Sequence, residues 1–325
     1  MILSAGCLKM KCVMRVTEYC NLNCSYCYMD SMKYYNNFES LNTILEVIKS
    51  LNELNIDKLI ISGGEPFLRP DIFDILKESK KYFKTTILTN GSLINKKKAK
   101  YLSKIGIDGM SISFESTNAT IHNKFRDNSY YDALNAMKIV KDQNISVDMG
   151  VCVSKNNAND FINLIHMAEN LKLDSITFEA LNPSGRGKNL RNLMLNSLET
   201  ETFLNNVHEY LTTQKPSIKV FMFYPQWILW DKKAIGCEVG KSLISVKYNG
   251  DILPCSNLPI TIGNILKDDF NEIWNSDLME NLRYKRTGFC NECLYKCKCG
   301  GCRSQALKDG NIFSSDHTCN YLNKI

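Results

Sequence analysis

Six β-type runs alternate with amphipathic helical runs over the first two thirds of the chain, and this alternation limits the fold more than any other feature. The apolar runs predict strands at 12–17, 57–62, 84–89, 108–114, 146–153 and 175–181. Helical periodicity lies near 39–54, 71–82, 95–104, 130–143, 158–171 and 199–212. Such alternation predicts βα units around a parallel sheet. Because a complete barrel needs eight strands, we expect an α/β fold built as a partial (β/α)6 TIM-type barrel.

After the last helical run the periodicity is lost, and short runs, turns and cysteines follow. The chain has 325 residues, which exceeds the roughly 250–300 at which one hydrophobic core stops growing. We therefore predict two units: the barrel over residues 1–220, and a small cysteine-rich domain stapled by metal over residues 221–325.

Composition and charge exclude several classes of protein. Hydrophobic residues make up 44% and charged residues 23% of the chain, and no apolar run reaches the roughly 18 residues of a membrane span. The start lacks the basic region of a signal peptide. The net charge of +6, from 40 basic and 34 acidic residues, is a mild excess without a basic arm. We expect a cytoplasmic protein that binds neither membrane nor nucleic acid.

The 14 cysteines cluster at the two ends, with five in residues 1–27, one at Cys152 and eight between Cys237 and Cys319. Close spacing in a cytosolic chain indicates metal ligands rather than disulfides. Cys20, Cys24 and Cys27 stand as CNLNCSYC after the first predicted strand. Structural zinc would need a fourth Cys or His nearby, and residues 28–65 supply neither. A [4Fe–4S] cluster with three protein ligands would leave one iron open.

This spacing, C-x3-C-x2-C with the aromatic Tyr26 before the third cysteine, resembles the cluster motif of the radical SAM superfamily. The resemblance implies that Cys20, Cys24 and Cys27 hold a [4Fe–4S] cluster whose open iron binds S-adenosylmethionine (SAM). Reductive cleavage of SAM would then give methionine and a 5′-deoxyadenosyl radical, which abstracts hydrogen from a substrate. The cofactor supplies this chemistry, and the protein orients it and excludes water.

Polar segments at the ends of later strands extend the resemblance. Gly63-Gly64-Glu65-Pro66 looks like the family's GGEP segment, which approaches the SAM amino group. The resemblance implies SAM ribose and carboxylate contacts by Asn90 and Ser113, and a carboxylate contact by Arg126. Relatives commonly have Ser-Ile-Asp-Gly where this chain has Ser113-Phe114-Glu115-Ser116.

The cysteines near the C-terminus resemble those of the SPASM domain, which holds two auxiliary [4Fe–4S] clusters. The resemblance assigns Cys237, Cys255 and Cys302 to the first auxiliary cluster. It assigns to the second cluster Cys290, Cys293, Cys299 and Cys319. The first cluster thus lacks a fourth cysteine, and the site is open, closed by Asp231 or rearranged around Cys297. A pair of zinc knuckles is the alternative. We expect Cys7, Cys12 and Cys152 to be small buried apolar residues.

The resemblance implies a radical SAM maturase that crosslinks or oxidises a side chain of a ribosomally made peptide or protein. The partners would be a flavodoxin- or ferredoxin-type electron donor and a possible separate leader-peptide-binding protein. Three alternatives remain: formylglycine formation as in anaerobic sulfatase maturases, small-molecule dehydrogenation or cofactor biosynthesis, and a non-catalytic Fe–S or zinc protein. Sulfatase maturases have an Asp as general base where this chain has Ser256.

Overall fold

The computed structural model describes residues 9–33 and 38–320, and its main feature is a curved sheet of mostly parallel strands. The strands are β1 (Met10–Arg15), β2 (Tyr19–Cys20), β3 (Met32–Lys33), β4 (Ile56–Ser62), β5 (Lys84–Thr89), β6 (Gly109–Ser113), β7 (Ser146–Val153), β8 (Ser175–Ala180), β9 (Lys219–Phe223), β10 (Leu243–Lys247), β11 (Asp251–Leu253) and β12 (Gly263–Asn264). Cys7, predicted above to be apolar and buried, lies outside the described residues.

Helices follow most of the strands. They are α1 (Leu41–Asn52), α2 (Ile72–Tyr82), α3 (Lys96–Ile105), α4 (Ala119–Arg126), α5 (Tyr130–Lys141), α6 (Phe161–Asn170), α7 (Ser197–Gln214), α8 (Phe270–Trp274), α9 (Asp277–Tyr284), α10 (Phe289–Glu292), α11 (Lys296–Cys299) and α12 (Arg303–Ala306). Short 3₁₀ segments include Gly185–Leu193 and Pro225–Leu229. None of the helices in the described ranges is long and apolar enough to span a bilayer.

The predicted partial barrel is confirmed by the strand order, β12-β11-β10-β1-β4-β5-β6-β7-β8-β9. The six predicted strands form its centre, and all pairs from β10 to β9 are parallel. The C-terminal part of the chain contributes β10, which pairs with β1 so that Val13 lies opposite Ser245. The predicted boundary at residue 220 falls within β9, and the division into two domains stays a prediction.

The two faces of the sheet differ in chemistry. On the outer face, Leu59 and Ile61 of β4 belong to the same fully buried core as Ile44 and Ile48 of α1. Each such side chain contributes about 1.5–3 kcal/mol when fully buried. Ser40 begins α1 by accepting a hydrogen bond from the Thr43 N–H. The helices therefore cover the outer face, and the inner face lines a lumen.

Hydroxyl and carboxylate groups line this lumen at β6, β7 and β8. Asp148 accepts hydrogen bonds from the hydroxyls of Ser111 at 2.6 Å, Ser175 at 2.7 Å and Thr177 at 2.9 Å. Parallel strands end at the same rim, so the loops that follow them converge there. The front cysteine loop, which follows β1, lies at this rim.

Candidate functional site

The front cysteines lie in a loop whose two ends are joined by a pair of short parallel strands, Tyr19–Cys20 and Met32–Lys33. Cys20 and Cys24 are buried, Cys27 is half-buried, and all three thiols are free. The Leu22 N–H donates to Cys20 Sγ at 3.4 Å, and the Ser31 N–H donates to Cys27 Sγ at the same distance. Hydrogen bonds to sulfur are one of the features that set the reduction potential of an iron–sulfur cluster. The loop therefore offers three thiols in a setting that suits a cluster.

Burial disfavours the thiolate form of the two deeper thiols. It raises the pKa of Cys20 to about 12, although the Leu22 N–H opposes the shift. Burial also raises the pKa of Cys24, against the attraction of the nearby Arg126 guanidinium. Since metal binding deprotonates thiols, a metal is what these buried groups need in order to become thiolates.

Residues after β8 hold the cysteine loop in place. The Arg186 Nε donates to the Cys24 carbonyl at 2.8 Å, and its Nη1 donates to Asp30 Oδ1 at 2.9 Å. Gly185 has a φ of +55°, and a Cβ there would lie 2.4 Å from the Cys27 carbonyl oxygen. The sequence analysis assigned no role to this segment. The two glycines beside Arg186 were the signal for this close approach.

The segment Gly63–Pro66 lies directly against the cysteine loop. The Gly64 N–H donates to the Thr17 carbonyl at 2.9 Å, and a Cβ on Gly64 would lie 2.1 Å from the Tyr19 carbonyl oxygen. Glu65 is fully buried and accepts hydrogen bonds from the Asn90 N–H at 2.9 Å and from the Thr89 hydroxyl at 2.8 Å. Burial raises the pKa of Glu65, and these donors oppose the shift.

Asn90 and Pro66 are also buried here. The Asn90 Nδ2 lies 3.8 Å from Cys20 Sγ and donates to Asn21 Oδ1 at 3.1 Å. The ends of β4 and β5 and the cysteine loop thus form one connected group. The structure brings together the residues that the sequence singled out at these two strands.

A buried ion pair forms the other side of the site. Arg126 Nη1 donates to Glu115 Oε1 at 3.0 Å, and the Tyr26 hydroxyl makes hydrogen bonds to both side chains. Glu115 Oε2 accepts a hydrogen bond from the Cys152 N–H at 2.7 Å. Glu115 is one of three residues, with Phe114 and Ser116, at which the sequence departs from the family's common pattern. The structure makes it the link between Tyr26, Arg126 and β7.

Ser113 and Cys152 flank this pair at the ends of β6 and β7. Ser113 is half-buried and lies opposite Gly150 in the sheet register. Cys152 is half-buried on the lumen face, whereas Cys12 is fully buried in the core on the outer face. Of these two cysteines, only Cys12 has the buried position that we expected.

Glu179 is a lumen residue that the sequence analysis missed. It lies one residue before the end of β8 on the face of Thr177, is exposed to the lumen, and has no hydrogen-bond or ion-pair partner among the described residues. The protein surrounds the carboxyl on its other sides. This desolvation, with the nearby carboxylates of Glu115 and Asp148, raises the pKa of Glu179 to about 7. The signal was a lone acidic residue near the end of an apolar strand.

Four back cysteines line one cavity. They are Cys290, Cys293, Cys299 and Cys319, and the cavity wall also includes Asp316 and Gln226. The Tyr295 N–H donates to Cys293 Sγ at 3.4 Å, and the Asp316 N–H donates to Cys290 Sγ at 3.5 Å. Of these, Cys290, Cys293 and Cys299 are free thiols. The set predicted for the second auxiliary cluster is therefore brought together around one space.

The other predicted set lies nearer the sheet. Cys237 and Cys255 pack against the same small apolar cluster, and Cys302 Sγ lies 3.1 Å from the Ser304 hydroxyl. Burial raises the pKa of Cys255 and of Cys302 to about 12. The two alternatives for a fourth ligand, Asp231 and Cys297, are both exposed. Asp231 Oδ1 accepts a hydrogen bond from the Lys233 N–H at 2.8 Å.

Two buried arginines lie among the back cysteines without a carboxylate partner in the described part of the chain. The Arg286 Nε donates to the Gly300 carbonyl, and the Arg303 Nη1 donates to the Ile312 and Ser314 carbonyls. The Arg303 Nη2 is buried and unpaired. Buried charges need a counter-charge. Thiolate-bound clusters would supply that negative charge, so the residues present fit such groups.

Within the ranges that the structure describes, no three His, Cys, Asp or Glu side chains surround a point as ligands of a single metal ion do. Four thiolates around one zinc ion, with Zn–S bonds near 2.3 Å, would lie about 3.8 Å apart. In a four-iron cluster each thiolate binds a different iron atom, so the sulfurs lie further apart. The lack of a single-ion site among the described residues is thus compatible with clusters.

Comparison with known proteins agrees with this geometry. Residues 14–168 match the sequence model of the radical SAM superfamily, and residues 237–303 match that of SPASM, an iron–sulfur cluster-binding domain. The chain is 24% identical to the AdoMet-dependent heme synthase of Nitratidesulfovibrio vulgaris, over 94% of this chain and 90% of that protein. It is 25% identical to AlbA, the subtilosin biosynthesis protein of Bacillus subtilis, over 94% of this chain and 69% of AlbA.

Solved structures share the fold. SuiB of Streptococcus suis, bound to its precursor peptide SuiA, has a TM-score of 0.81 at 19% identity, covering 96% of this chain and 76% of SuiB. The enzyme anSMEcpe with bound AdoMet has a TM-score of 0.75 at 18% identity, covering 97% and 95%. The cofactors are accordingly SAM and [4Fe–4S] clusters, one at the front and two auxiliary. Since the two matched regions make up well over half of its length, the chain belongs to the radical SAM superfamily and carries a C-terminal SPASM domain.

Proposed function

We propose that this chain is a maturase that modifies a side chain of a ribosomally made peptide or protein, by forming a crosslink or by oxidising a residue. The observation that carries this proposal is the free edge of β9 beside the lumen. β9 pairs with β8 on one side, and no strand of the described residues pairs with its other side. An extended peptide can add to such an edge through main-chain hydrogen bonds.

The side chains of β9 fit that role. Phe221 and Phe223 lie opposite Thr177 and Glu179 in the register, so they share the lumen face. Phe221 is 47% exposed and Phe223 is 65% exposed. Pockets for alternate side chains give specificity when a peptide adds to a sheet. A peptide on β9 would place every second side chain toward Glu179 and the front site.

The site residues have the following proposed roles. Cys20, Cys24 and Cys27 hold the SAM-binding cluster, and the seven back cysteines hold the auxiliary clusters as the sequence assigned them. The residues proposed to contact SAM are Tyr26, Gly63, Gly64, Glu65, Pro66, Asn90, Ser113 and Arg126. When bound, SAM and the front cluster supply the 5′-deoxyadenosyl radical that abstracts hydrogen from the substrate.

The protein's own contribution is position and electrostatics. Because Gly64 has no side chain, its backbone can contact the cysteine loop. Glu115 fixes the Arg126 guanidinium, which can then bind a carboxylate. Glu65 ties the β5 end to the cysteine loop. These contacts hold the rim rigid, as a site that must orient a reactive group requires.

A second candidate is the modification of a heme-type tetrapyrrole. It is supported by the likeness to AdoMet-dependent heme synthase over nearly both full lengths.

As partners we propose a flavodoxin- or ferredoxin-type electron donor and a separate leader-peptide-binding protein. SuiB was solved with a precursor peptide and anSMEcpe with a peptide named Cp18Cys, which supports a peptide partner. We also propose a cytoplasmic location, because free thiols persist in a reducing compartment.

The experiment is an anaerobic assay of the reconstituted protein with SAM and dithionite. One arm contains peptides encoded beside its gene, and the other contains a heme-precursor porphyrin. Mass spectrometry follows the candidate substrate while chromatography follows 5′-deoxyadenosine. A peptide that loses hydrogen in step with 5′-deoxyadenosine formation supports the maturase. Conversion of the porphyrin alone would overturn it in favour of the second candidate.

The control replaces Cys20, Cys24 and Cys27 with Ala. We expect this variant to form no 5′-deoxyadenosine and to keep the iron of the back sites, since the two groups of cysteines are separate in the structure. Formation of 5′-deoxyadenosine by the triple variant would contradict the assignment of the front site.

A further inference from the structure

A lysine-rich surface lies beside the second group of back cysteines. The segment 231–237 runs along the turn 293–299, because the Cys237 N–H donates to the Cys299 carbonyl at 2.8 Å. The Lys298 ammonium also donates to the Lys232 carbonyl across the two segments. We define the lysine surface by these two segments and Lys241, with the side chains of Lys232, Lys233, Lys241, Lys296 and Lys298.

The lysine surface has exposed apolar side chains among its charges. Leu294 is 86% exposed, Ile235 is 65% exposed and Tyr295 is 38% exposed. Such large apolar side chains at the surface mark an interaction site when they are close together and surrounded by polar groups. Both segments of the surface carry one or more of them, so the apolar area is shared between the segments.

The charge of this surface is strongly positive for its size. Its five lysines stand against one acidic residue within the two segments, Asp231, and two directly beside them, Glu238 and Glu292, of which Glu238 pairs with Lys11. The ammonium groups of Lys241, Lys296 and Lys298 donate to backbone carbonyls or to an amide oxygen, and not to carboxylates. The positive charge therefore remains available to an acidic partner.

The lysine surface is also the outer wall of a predicted cluster site. Tyr295 and Lys296 line the same cavity as Cys290, Cys293, Cys299 and Cys319. Cys293 is half-buried, and its neighbour Leu294 is among the most exposed apolar side chains. A protein that docked here would be separated from the cavity by single side chains. Electrons pass readily only over such short distances.

We propose that the lysine surface docks an acidic one-electron carrier protein of the flavodoxin or ferredoxin class. The carrier, in its reduced form, gives one electron to the cluster held by the second group of back cysteines; the carrier is oxidised by one electron, the cluster is reduced by one, and no bond forms or breaks. This inference rests on the proposed assignment of those cysteines. Charge complementarity selects this occupant, because complementary charge guides and speeds association in such transient complexes.

The test uses charge reversal on two matched surfaces. One variant carries Lys232→Glu, Lys233→Glu and Lys298→Glu. The control carries Lys97→Glu, Lys100→Glu and Lys104→Glu, three exposed lysines of α3. Each reconstituted protein is mixed anaerobically with a reduced flavodoxin, and stopped-flow absorbance follows flavodoxin oxidation and cluster bleaching. We expect the second-order rate constant to fall by roughly tenfold or more in the first variant at low salt. The control should keep the wild-type rate, and the wild-type rate should fall as salt rises.

Dithionite separates failure of this proposal from failure of the proposed function. Dithionite is a small reductant that needs no docking surface, so both variants should still cleave SAM with it at the wild-type rate. If wild type itself lacks iron or fails with dithionite, the assignment of the cluster sites is wrong. If dithionite works and flavodoxin reduces all three proteins equally fast, the docking proposal is overturned. A light-scattering mass that drops from dimer to monomer only in the first variant would overturn it too, by assigning the surface to a second copy of this chain.

Discussion

Arg126 Nη1 lies 3.0 Å from Glu115 Oε1, and both side chains are buried beside the front cysteines. The pair joins α4 to the loop after β6. Tyr26, two residues after Cys24, makes hydrogen bonds to both members. The ion pair therefore couples the cysteine loop to the strand ends across the rim of the barrel.

Glu115→Gln is expected to destabilise the protein strongly. The amide keeps the shape of the side chain but leaves the Arg126 charge buried without a counter-charge. Loss of one member of a buried pair costs about 3–5 kcal/mol. Urea unfolding of the loaded protein under anaerobic conditions measures the loss. The control is Asp74→Asn, which removes the exposed pair with Lys77 on α2 and should cost about 0.5 kcal/mol or less. Equal losses in the two variants would contradict the role given to Glu115.

Gly64→Ala is expected to weaken SAM binding. A Cβ at Gly64 would lie 2.1 Å from the Tyr19 carbonyl oxygen, so the loop must move away from the cysteines. Overpacking of this kind costs about 1–3 kcal/mol. We expect the SAM dissociation constant, measured by calorimetry, to rise by about tenfold, which corresponds to about 1.4 kcal/mol. At Gly106 a Cβ meets nothing within 4 Å. Gly106→Ala should therefore leave SAM affinity unchanged, and a similar loss there would count against a specific effect at Gly64.

The sequence predicted the features that depend on local pattern. Alternation of apolar residues located the six central strands within a few residues, and the spacing of Cys20, Cys24 and Cys27 defined the front loop. By contrast, β10 is a five-residue run whose pairing with β1 joins residues more than 200 positions apart. Local periodicity carries no information about such a partner. The same holds for β9, another five-residue strand.

The missed site residues show the same limit. Arg186, Glu115 and Glu179 act through contacts with the cysteine loop or across the lumen, and each looks like an ordinary polar residue in its own segment. α4 was missed as well, because ATIHNKFR is short and mostly polar. Its N-cap, Asn118, accepts hydrogen bonds from two backbone N–H groups. That capping signal becomes informative only when the helix is already placed.

His122 is expected to stay neutral in the folded protein well below its ordinary pKa. Burial and the nearby Arg126 lower the pKa of His122 to about 3. Its Nδ1 accepts the Glu115 N–H at 3.2 Å, which a protonated ring could not do. The unfolded chain gains a proton near pH 6.5 that the folded chain refuses, so the contribution to stability is present above about pH 6.5 and is lost as pH falls. Nitrogen chemical shifts of the ring between pH 7.5 and 5.5 measure this directly. Protonation of the native ring near pH 6.5 would show the prediction to be wrong.

Glu179→Gln is expected to stabilise the protein at alkaline pH. Desolvation by the surrounding protein and two neighbouring carboxylates raise the pKa of Glu179 to about 7, so the folded chain holds a proton that the unfolded chain has released. Stability from this group is present below the ordinary glutamate pKa and is lost as pH rises through about 7. The variant should therefore unfold at higher urea concentration than wild type at pH 8, and the difference should shrink toward pH 5. A variant less stable than wild type at pH 8 would indicate that the carboxylate has a stabilising partner in the lumen.

Arg303→Met is expected to cost more stability in the cluster-loaded protein than in protein from which iron has been removed by a chelator. In both forms the substitution removes hydrogen bonds to the Gly301, Ile312 and Ser314 carbonyls. Only in the loaded form does it also remove a positive charge beside an anionic cluster. The difference between the two losses should be about 0.5–3 kcal/mol, the usual coupling between contacting groups. Urea unfolding, monitored by hydrogen exchange in residues 286–316, provides both values.

Where the iron-free region shows no protection from exchange, the reduction potential of the cluster tests the role of Arg303 instead. The reduction potential should fall in the variant, because the Arg303 cation that is removed would otherwise stabilise the reduced, more negative cluster. An unchanged potential, or equal losses in the two forms, would show that Arg303 serves only the backbone around it.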